Sequence, residues 1–261
     1  MADHDGEITT LQSLMKVVRR TGIPDMNLAH IRLWFRGQTQ DKPEHKLCPG
    51  VYRSTFGVSN EEERIEKERQ MAQDFRVESV GLLGEQSNEK LYFLMQHYKM
   101  PTRLLDWTMN PLASLYFAVS DHEEDNGMLF MMDALRLAHC QEESEKAGQK
   151  GIATSRNPRF RSGLKTIFDW ADTKNLPQYI MAARPDHFET RIVHQRGCFT
   201  FHGTNQPELT TAANDSLCKF LIPHHTKTHI REELQLLGVD EFSIYQDLDH
   251  LSDRLRRIHK A

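Results

Sequence analysis

The sequence predicts an α+β fold in which one domain spans all 261 residues. Segments with a helical spacing of apolar residues and short segments rich in β-branched and aromatic residues follow one another irregularly, which favours α+β over a regular doubly wound sheet. No Pro-, Gly- or Ser-rich linker divides the chain. We therefore predict a single domain over residues 1–261, with an N-terminal helical segment at 1–28 and an insertion at 140–185.

The first predicted elements are a helix, a strand and a loop. Apolar residues recur at helical spacing over residues 9–20, where Thr9 and Thr10 are suitable caps. Residues 31–37 alternate in polarity and are rich in β-formers, so we predict a strand there. A loop over residues 38–49 follows it.

Two helices and a polar loop are predicted next. Residues 60–80 are highly charged with a narrow apolar stripe and predict a solvated helix, and residues 88–97 predict another. Residues 96–110 are polar and turn-rich, so we predict a loop. Asn110 is a suitable cap for the helix that follows, and Pro111 stands at its first position, where the missing N–H costs nothing.

The rest of the chain contains a polar stretch and six further predicted elements. Residues 142–163 are polar and include glycine and proline, which indicates an excursion from the core. The remaining predicted elements are a strand at 127–132, two strand pieces within 191–202 broken at Gly197, a strand at 220–223, a helix at 226–237 and a helix at 248–259.

Composition limits the function classes. Lys and Arg number 33 against 37 Asp and Glu, and this net charge of −4 gives no electrostatic case for general nucleic-acid or membrane binding. The four cysteines form no CxxC pair, so we expect reduced thiols. No apolar run reaches the roughly 20 residues of a membrane span, and the N-terminus lacks a signal-peptide pattern. We expect a cytoplasmic protein with no membrane partner.

No metal site is predicted. His225 and His229 have the i, i+4 spacing that can place two ligands on one helical face. No third ligand follows at a recognised interval, and Pro223 and Thr226 indicate the start of a helix instead. Solvated histidines are the favoured interpretation.

The candidate site centres on residues 96–118. The first half of this stretch concentrates hydrogen-bonding and ionic groups that a folded chain must pair, and the second half, from Pro111 to Ala118, is almost wholly apolar. Because a polar loop that leads into a buried helix is mounted on a rigid element, its polar groups point at one place. The stretch therefore predicts a binding site.

Sequence motifs resemble a known family. The segment Trp34-Phe-Arg-Gly-Gln38 and the long motif Gln-His-Tyr…Pro-Thr-Arg-Leu-Leu-Asp-Trp-Thr…Asn-Pro…Leu-Tyr-Phe-Ala at 96–118 are similar to those of the FRG domain family, which is named for its Phe-Arg-Gly signature. The likeness extends to Leu47-Cys-Pro-Gly-Val-Tyr-Arg53. The family occurs largely in bacteria and their phages, which implies a role in conflict as a toxin, a defence effector or a counter-defence protein.

A more remote likeness is to the ADP-ribosyltransferases. Phe35-Arg36-Gly37 resembles the strand end that holds NAD in those enzymes, and the segment from Asp106 to Asn110 resembles their second strand, which precedes a helix with small and aromatic residues. Gln195 lies where their catalytic glutamate is expected. The likeness implies a mixed, mostly antiparallel sheet flanked by helices, and NAD as the substrate.

The glutamine is a departure from that pattern. A glutamate binds a ribose hydroxyl and stabilises the positive charge that develops as nicotinamide leaves, whereas a glutamine lacks the negative charge. Either Asp106 or Glu189 supplies the carboxylate, or the site binds without catalysis. Gln195 itself is expected to face the pocket.

Each arginine of the candidate site has two interpretations. Arg36 clamps the pyrophosphate or ribose of a nucleotide, or it forms a structural ion pair with Asp106. Arg103 contacts the ligand, or it forms a buried salt bridge with Asp106 that fixes the loop. Arg53 is a second phosphate contact or a surface residue. Gly37 admits a ligand close to the backbone or makes a turn.

The other candidates also have two interpretations. His97 is an acid or base, or a hydrogen-bonded structural histidine, and Tyr98 stacks on a nicotinamide or adenine, or belongs to the core. Trp107 is predicted to pack as a lid or wall. Thr108 and Asn110 reach a ribose, although capping of a helix accounts fully for Asn110.

The leading functional hypothesis is an NAD-binding protein that transfers ADP-ribose to a protein or nucleic-acid acceptor, or hydrolyses NAD. The alternative is a non-catalytic module that binds a nucleotide, a nucleic acid or a protein partner through the same pocket. The glutamine at position 195 is the best support for the alternative.

Overall fold

The computed structural model has an α+β fold, and the residues it describes are 4–20, 31–42, 47–140, 151–169, 176–186, 193–209 and 216–259. Seven strands in this part of the chain form one mixed sheet in the spatial order β4-β5-β6-β2-β1-β3-β7. Every neighbouring pair is antiparallel except β4 and β5. The strands are β1 (Leu33–Gln38), β2 (Leu104–Thr108), β3 (Gly127–Asp133), β4 (Ala153–Thr154), β5 (Ile180–Arg184), β6 (Gly197–His202) and β7 (Leu217–Ile222).

Helices pack on both faces of the sheet. The described α-helices are α1 (Leu11–Arg19), α2 (Glu61–Leu83), α3 (Asn88–His97), α4 (Pro111–Val119), α5 (Ala134–Cys140), α6 (Pro158–Phe168), α7 (Lys227–Leu236), α8 (Glu241–Tyr245) and α9 (Leu248–His259). None of the helices in these ranges is both long enough and apolar enough to cross a bilayer.

Local capping signals explain where several helices begin. Thr10 accepts a hydrogen bond from the backbone N–H of Ser13 and caps α1, while Asn60 accepts one from Glu63 and caps α2. Asn110 accepts hydrogen bonds from the first turn of α4, which starts at a proline. The predicted helices at 9–20, 60–80, 88–97, 226–237 and 248–259, and the one after Asn110, are confirmed. The prediction that the helix at 60–80 is solvated is wrong for Glu68 and Arg69, which are buried because they pair with groups elsewhere in the fold.

The predicted loop at 96–110 is wrong at residues 96–97, which end α3, and over residues 104–108, which form the central strand β2. Leu104, Leu105 and Trp107 are buried there, so the segment has the hydrophobic content of a strand despite its polar neighbours. Of the two strand pieces predicted within 191–202, the second is confirmed as β6, which begins at Gly197. The first is wrong over its described residues 193–196, which form a turn that leads into β6.

The prediction that residues 142–163 lie outside the core is wrong for the part that the structure describes. Ala153 joins the sheet in β4, and Phe160 on α6 is fully buried and stacks on Phe93. Strand β5 was not predicted at all. Parts of four predictions lie outside the described residues: 1–3 and 21–28 of the N-terminal segment, 43–46 of the loop at 38–49, 141–150 and 170–175 of the insertion, and 191–192 of the strand pieces.

The sheet is divided between β1 and β2. These two strands share one register pair, Phe35 with Thr108, whereas β1 and β3 share six. On one side of this division the sheet consists of β4, β5, β6 and β2, and on the other of β1, β3 and β7. The two halves therefore separate beside that single pair, and the opening is where the candidate site lies.

Candidate functional site

A cleft of about 700 Å³ opens where β1 and β2 separate. Ligand-binding pockets in proteins have volumes of roughly 300–1,000 Å³, so the cleft has the size of a small-molecule site. Its walls come from the ends of β1 and β2, the start of β6, the end of α3 and the residues that follow α4. The lining residues are Phe35, Arg36, Gly37, Gln38, Thr39, Arg53, Gln96, His97, Lys99, Asp106, Trp107, Thr108, Phe117, Ser120, Asp121, Gln195, Gly197 and Phe199.

The structure brings most of the candidate residues together in this cleft. Those that line it are Arg36, Gly37, Arg53, His97, Asp106, Trp107, Thr108 and Gln195. Three described candidates, Tyr98, Arg103 and Asn110, are not among the lining residues. Glu189 lies outside the described residues.

Arg36 bridges the two halves of the sheet near the end of β1. Its Nη1 donates a hydrogen bond to the backbone oxygen of Asp106 at 2.8 Å and lies 4.0 Å from the Asp106 carboxylate oxygen Oδ2. Its Nε is buried and has no hydrogen-bond partner among the described residues. Burial lowers the pKa of Arg36, the charge of Asp106 opposes this, and the neighbouring charge of Arg53 lowers it further. A guanidinium in this position has donor capacity left for a ligand.

Arg53 adds a second guanidinium to the cleft. It follows a short 3₁₀ turn at Gly50–Tyr52, and its Nε donates to the backbone oxygen of Cys48 at 3.1 Å. Lys99 also lines the cleft and adopts a left-handed backbone conformation with φ of 64°, which is uncommon for a residue other than glycine. The lining therefore contains three cations, Arg36, Arg53 and Lys99, and two carboxylates, those of Asp106 and Asp121.

Asp106 presents its carboxylate to the cleft from the middle of β2. The side chain is 58% exposed, so the carboxylate is open to a ligand and to solvent. Its Oδ2 accepts a hydrogen bond from Nε2 of Gln96 at 2.8 Å. The carboxylate of Asp106 is therefore oriented by Gln96 and lies beside the guanidinium of Arg36.

Gln195 lies on a tight turn that leads into β6. Its Nε2 donates to the backbone oxygen of Ile244 at 3.1 Å, and its backbone oxygen accepts a hydrogen bond from the hydroxyl of Thr108. The next residue, Arg196, has a φ of 49°, and its backbone oxygen accepts from the N–H of Met109 at 3.0 Å. These bonds hold the turn against the end of β2, so Gln195 and Asp106 line the same cleft.

The side chain of Trp107 is buried and forms part of a wall. Its Nε1 donates to the hydroxyl of Thr200 at 3.2 Å. Phe35, Phe117 and Phe199 contribute further aromatic surface to the cleft. A planar ring of a ligand has apolar partners here.

Arg103 forms a buried network away from the cleft, and the predicted salt bridge with Asp106 is wrong. Its Nε donates to Glu68 at 2.7 Å, and its Nη1 donates to Glu61 at 2.8 Å and to the hydroxyl of Tyr52 at 2.8 Å. Residues three apart on an extended strand point to opposite faces, so Arg103 and Asp106 diverge. Burial lowers the pKa of Arg103, but the combined interactions with Glu68, Glu61 and two neighbouring tyrosines outweigh it, and the pKa is raised.

The remaining described candidates have local partners. Tyr98 is 57% exposed, and its ring packs edge-on against that of His97 at 5.0 Å. Asn110 accepts hydrogen bonds from the N–H groups of Leu112 and Ala113 and acts as the cap of α4. Its own N–H donates to Thr108 Oγ1 at 2.9 Å.

A Cβ on Gly37 would collide with the backbone of α4, a third role for the glycine besides the two that were predicted. Four lining residues, Gln96, Lys99, Phe117 and Phe199, were not predicted as candidates. Gln96 is the first residue of the central motif, whereas Phe117 lies in the apolar run from Pro111 to Ala118, where no pattern indicated a binding role. No group of three or more His, Cys, Asp or Glu within the described ranges is placed to hold a metal ion.

Comparison with known proteins supports the resemblance found in the motifs. Residues 31–127 match the family model described as the FRG domain. This range includes Arg36, Arg53, Asp106 and the whole motif at 96–118. Neither the curated proteins nor the solved structures gave a match to the chain. The more remote likeness to ADP-ribosyltransferases stays a prediction.

Proposed function

Because residues 31–127 are an FRG domain, with its signature arginine in the cleft, we propose that this cleft binds NAD and supports transfer of ADP-ribose or hydrolysis of NAD. The observation that carries the proposal is the pair of guanidinium groups, Arg36 and Arg53, in a cleft between the separated halves of the sheet. Their mutual repulsion is relieved by an anion between them, and a guanidinium matches phosphate oxygens with two parallel hydrogen bonds.

The remaining lining fits the other parts of a dinucleotide. Aromatic surface at Phe117 and Phe199 offers contact to a planar base, and Gln195 offers an amide to a ribose hydroxyl. Asp106 supplies the negative charge that the glutamine lacks. In the reaction, the bond between ribose C1′ and the nicotinamide nitrogen breaks and its electron pair leaves with nicotinamide. The positive charge that develops on the ribose is stabilised by the Asp106 carboxylate.

The acceptor completes the reaction at C1′. A nucleophilic group of a protein or nucleic acid forms the new bond and gives up its proton, which yields an ADP-ribosylated macromolecule. Water as the acceptor gives ADP-ribose and a proton instead. The cleft is open to solvent at Asp106, so both acceptors have access.

Release of nicotinamide tests the proposal. Purified protein is incubated with NAD labelled in the nicotinamide ring, with and without a cell lysate as the source of acceptors. We expect release by the unaltered protein, loss of release in Arg36→Ala, and normal release in Arg156→Ala, a control whose side chain is 77% exposed on the surface. Absence of release in both conditions rejects the transferase and the hydrolase, and turnover by Arg36→Ala rejects the site.

A non-catalytic nucleotide-binding module is the second candidate, because an amide stands at position 195. Titration calorimetry with NAD, ADP-ribose and nucleotides separates the two. Binding that depends on Arg36, without nicotinamide release, identifies the module.

A role in conflict between bacteria and phages is part of the proposal and rests on the distribution of the family. Expression in a bacterial host is expected to lower cellular NAD and slow growth. The Asp106→Asn variant removes the charge with little change in shape and is expected to do neither. Equal growth with both proteins contradicts a toxic activity.

A further inference from the structure

Gln96 connects a buried threonine to the carboxylate of Asp106. Its Oε1 accepts a hydrogen bond from Oγ1 of Thr102 at 2.5 Å, and its Nε2 donates to Oδ2 of Asp106 at 2.8 Å. The hydroxyl oxygen of Thr102 accepts from the backbone N–H of Leu104 at 3.1 Å. We name this chain of three hydrogen bonds, from Leu104 through Thr102 and Gln96 to Asp106, the Gln96 relay.

The hydrogen bonds of the relay determine which end of the Gln96 amide faces Asp106. Because the hydroxyl oxygen of Thr102 already accepts a hydrogen bond from Leu104, its own proton is available for the amide of Gln96. That proton requires the amide oxygen as its acceptor, which places the amide nitrogen toward Asp106. A carboxylate accepts hydrogen bonds and offers no proton of its own, so the nitrogen is the correct end to meet it.

Burial fixes Thr102, the residue that anchors Gln96 at the inner end of the relay. Thr102 is fully buried and next to Arg103, which is held by Glu61 and Glu68. Asp106, at the other end, is the exposed member of the chain. An exposed aspartate side chain is free to rotate unless a partner fixes it, and Gln96 is a partner that is itself anchored in the core.

We propose that Gln96 and Thr102 are positioning residues that orient the Asp106 carboxylate toward a ligand in the cleft. This inference rests on the proposed function for its catalytic consequence, but the orientation itself is a property of the free protein. The competing interpretation is that the bond between α3 and β2 contributes only to stability.

Side-chain amide signals of Gln96 in an ¹⁵N–¹H NMR spectrum test the relay without NAD. The signals are assigned by their loss in Gln96→Leu. We expect them to move in Asp106→Ala and in Thr102→Val, and to stay in place in Thr102→Ser, which keeps the hydroxyl. Signals that respond to neither Asp106→Ala nor Thr102→Val overturn the relay.

Kinetics then separate positioning from stability. Misplacement of a catalytic group by about 1 Å costs on the order of 100-fold in rate, so Gln96→Leu is expected to lower kcat by on the order of 100-fold with little change in KM. Thr102→Val is expected to lower kcat and Thr102→Ser to restore it. Gln70→Leu is the matched control, since Gln70 donates its hydrogen bond to the exposed side chain of Glu66 within α2 and not to a group of the cleft.

The outcomes distinguish this inference from the proposed function. If the unaltered protein turns over NAD and Gln96→Leu has the same kcat, the positioning role of Gln96 is rejected and the proposed activity stands. Absence of turnover in the unaltered protein rejects the proposed function, and the NMR response alone then decides whether the relay holds Asp106.

Discussion

Gly37 lies against the backbone of Ser114, where a Cβ added to the glycine would stand 1.9 Å from the carbonyl oxygen of Ser114. The same Cβ would stand 2.7 Å from the backbone nitrogen of Ala118. At Gly37, therefore, the backbones of β1 and α4 are in direct contact, with no side chain between them. The glycine that follows Arg36 sets this separation, and with it the wall of the cleft that α4 supports.

Replacement of Gly37 by alanine is expected to destabilise the fold by about 3 kcal/mol, because backbone atoms of α4 have to move to admit the methyl group. Gly81→Ala is the control: a Cβ at this position in α2 meets nothing within 4 Å, and alanine is favoured over glycine in a helix by about 1 kcal/mol. Urea unfolding of the two variants should give changes of opposite sign. Equal stability of Gly37→Ala and the unaltered protein would contradict the packing described.

Helices were predictable because their signals are local. Residues 88–97 and 248–259 were predicted with the bounds that the structure has, and Asn110 with Pro111 marked the start of α4. Capping and helical periodicity depend on residues within a few positions of one another. Helices can therefore be predicted from the sequence without knowledge of the fold.

Strands depended more on partners elsewhere in the chain. β2 carries Asp106 among buried residues, and β5 ends in Arg184 after a short apolar run, so neither has the regular alternation of a half-buried strand. Both become strands because neighbours supply hydrogen bonds on each side: β5 pairs with β4 and β6, and β2 pairs with β6 and β1.

Site residues that belong to one short sequence motif could be predicted, whereas contacts between distant segments of the chain could not. Asp106, Trp107 and Thr108 belong to one short segment, and the resemblance brought Arg36 to them. The partner of Arg103 could not be predicted in this way, since Glu68 comes from a helix 35 positions earlier, through a contact that exists only after folding.

The pair of Arg103 and Glu68 leads to a second prediction. Both side chains are fully buried. Removal of one partner leaves the other charge buried without a counter-ion, which destabilises the folded protein by about 3–5 kcal/mol. Arg103→Met is expected to destabilise the protein by this amount in urea unfolding. Burial already raises the pKa of Glu68 against the opposing charge of Arg103, so removal of the arginine favours the protonated form of Glu68.

A double variant isolates the pair. Arg103→Met with Glu68→Leu removes both charges and is expected to be more stable than Arg103→Met alone. Arg161→Met is the control, because Arg161 pairs with Glu89 at the surface, where such pairs contribute up to about 1 kcal/mol. Additive losses in the double variant would contradict a coupled buried pair.

Lys227 gives a third prediction, about the rim of the cleft. It is fully buried, and its Nζ donates to the backbone oxygens of Thr39, Asp121 and His122 at 2.8, 2.9 and 2.8 Å. Thr39 and Asp121 line the cleft, so one ammonium group ties the end of β1 to the residues after α4. Burial lowers the pKa of Lys227.

Lys227→Met keeps the aliphatic chain but leaves three carbonyl oxygens without their donor. Asp121 and His122 are exposed residues, so water replaces part of the lost hydrogen bonding. We therefore expect a loss of about 1–3 kcal/mol, the cost of one unsatisfied buried group, and weaker binding of nucleotides to the altered rim. Lys16→Met on the exposed face of α1 is the control. Thermal unfolding and calorimetry measure the two effects, and unchanged stability of Lys227→Met would refute the role of the ammonium.

His202 is a buried histidine in a chain of hydrogen bonds behind the cleft wall. Its Nε2 lies 3.1 Å from the hydroxyl of Thr200, which also accepts from Trp107, and its Nδ1 lies 2.8 Å from the backbone oxygen of Gln206. The hydrogen bond to a carbonyl places a proton on Nδ1. Burial lowers the pKa of His202 to about 4, so the ring is neutral in the folded protein near pH 7.

This lowered pKa makes the fold less stable as the pH falls. A histidine in the unfolded chain has a pKa near 6.5. Between about pH 6.5 and 4 His202 is therefore protonated in the unfolded chain and neutral in the folded protein, which favours unfolding as the pH falls. From this group alone, the free energy of unfolding should fall by about 2 kcal/mol between pH 7 and pH 5. His202→Gln should remove that part of the pH dependence, whereas His259→Gln, at an exposed position on α9, should leave it in place. Urea unfolding at the two pH values measures the difference, and equal pH dependence in His202→Gln and the unaltered protein would show that His202 is not held neutral by the fold.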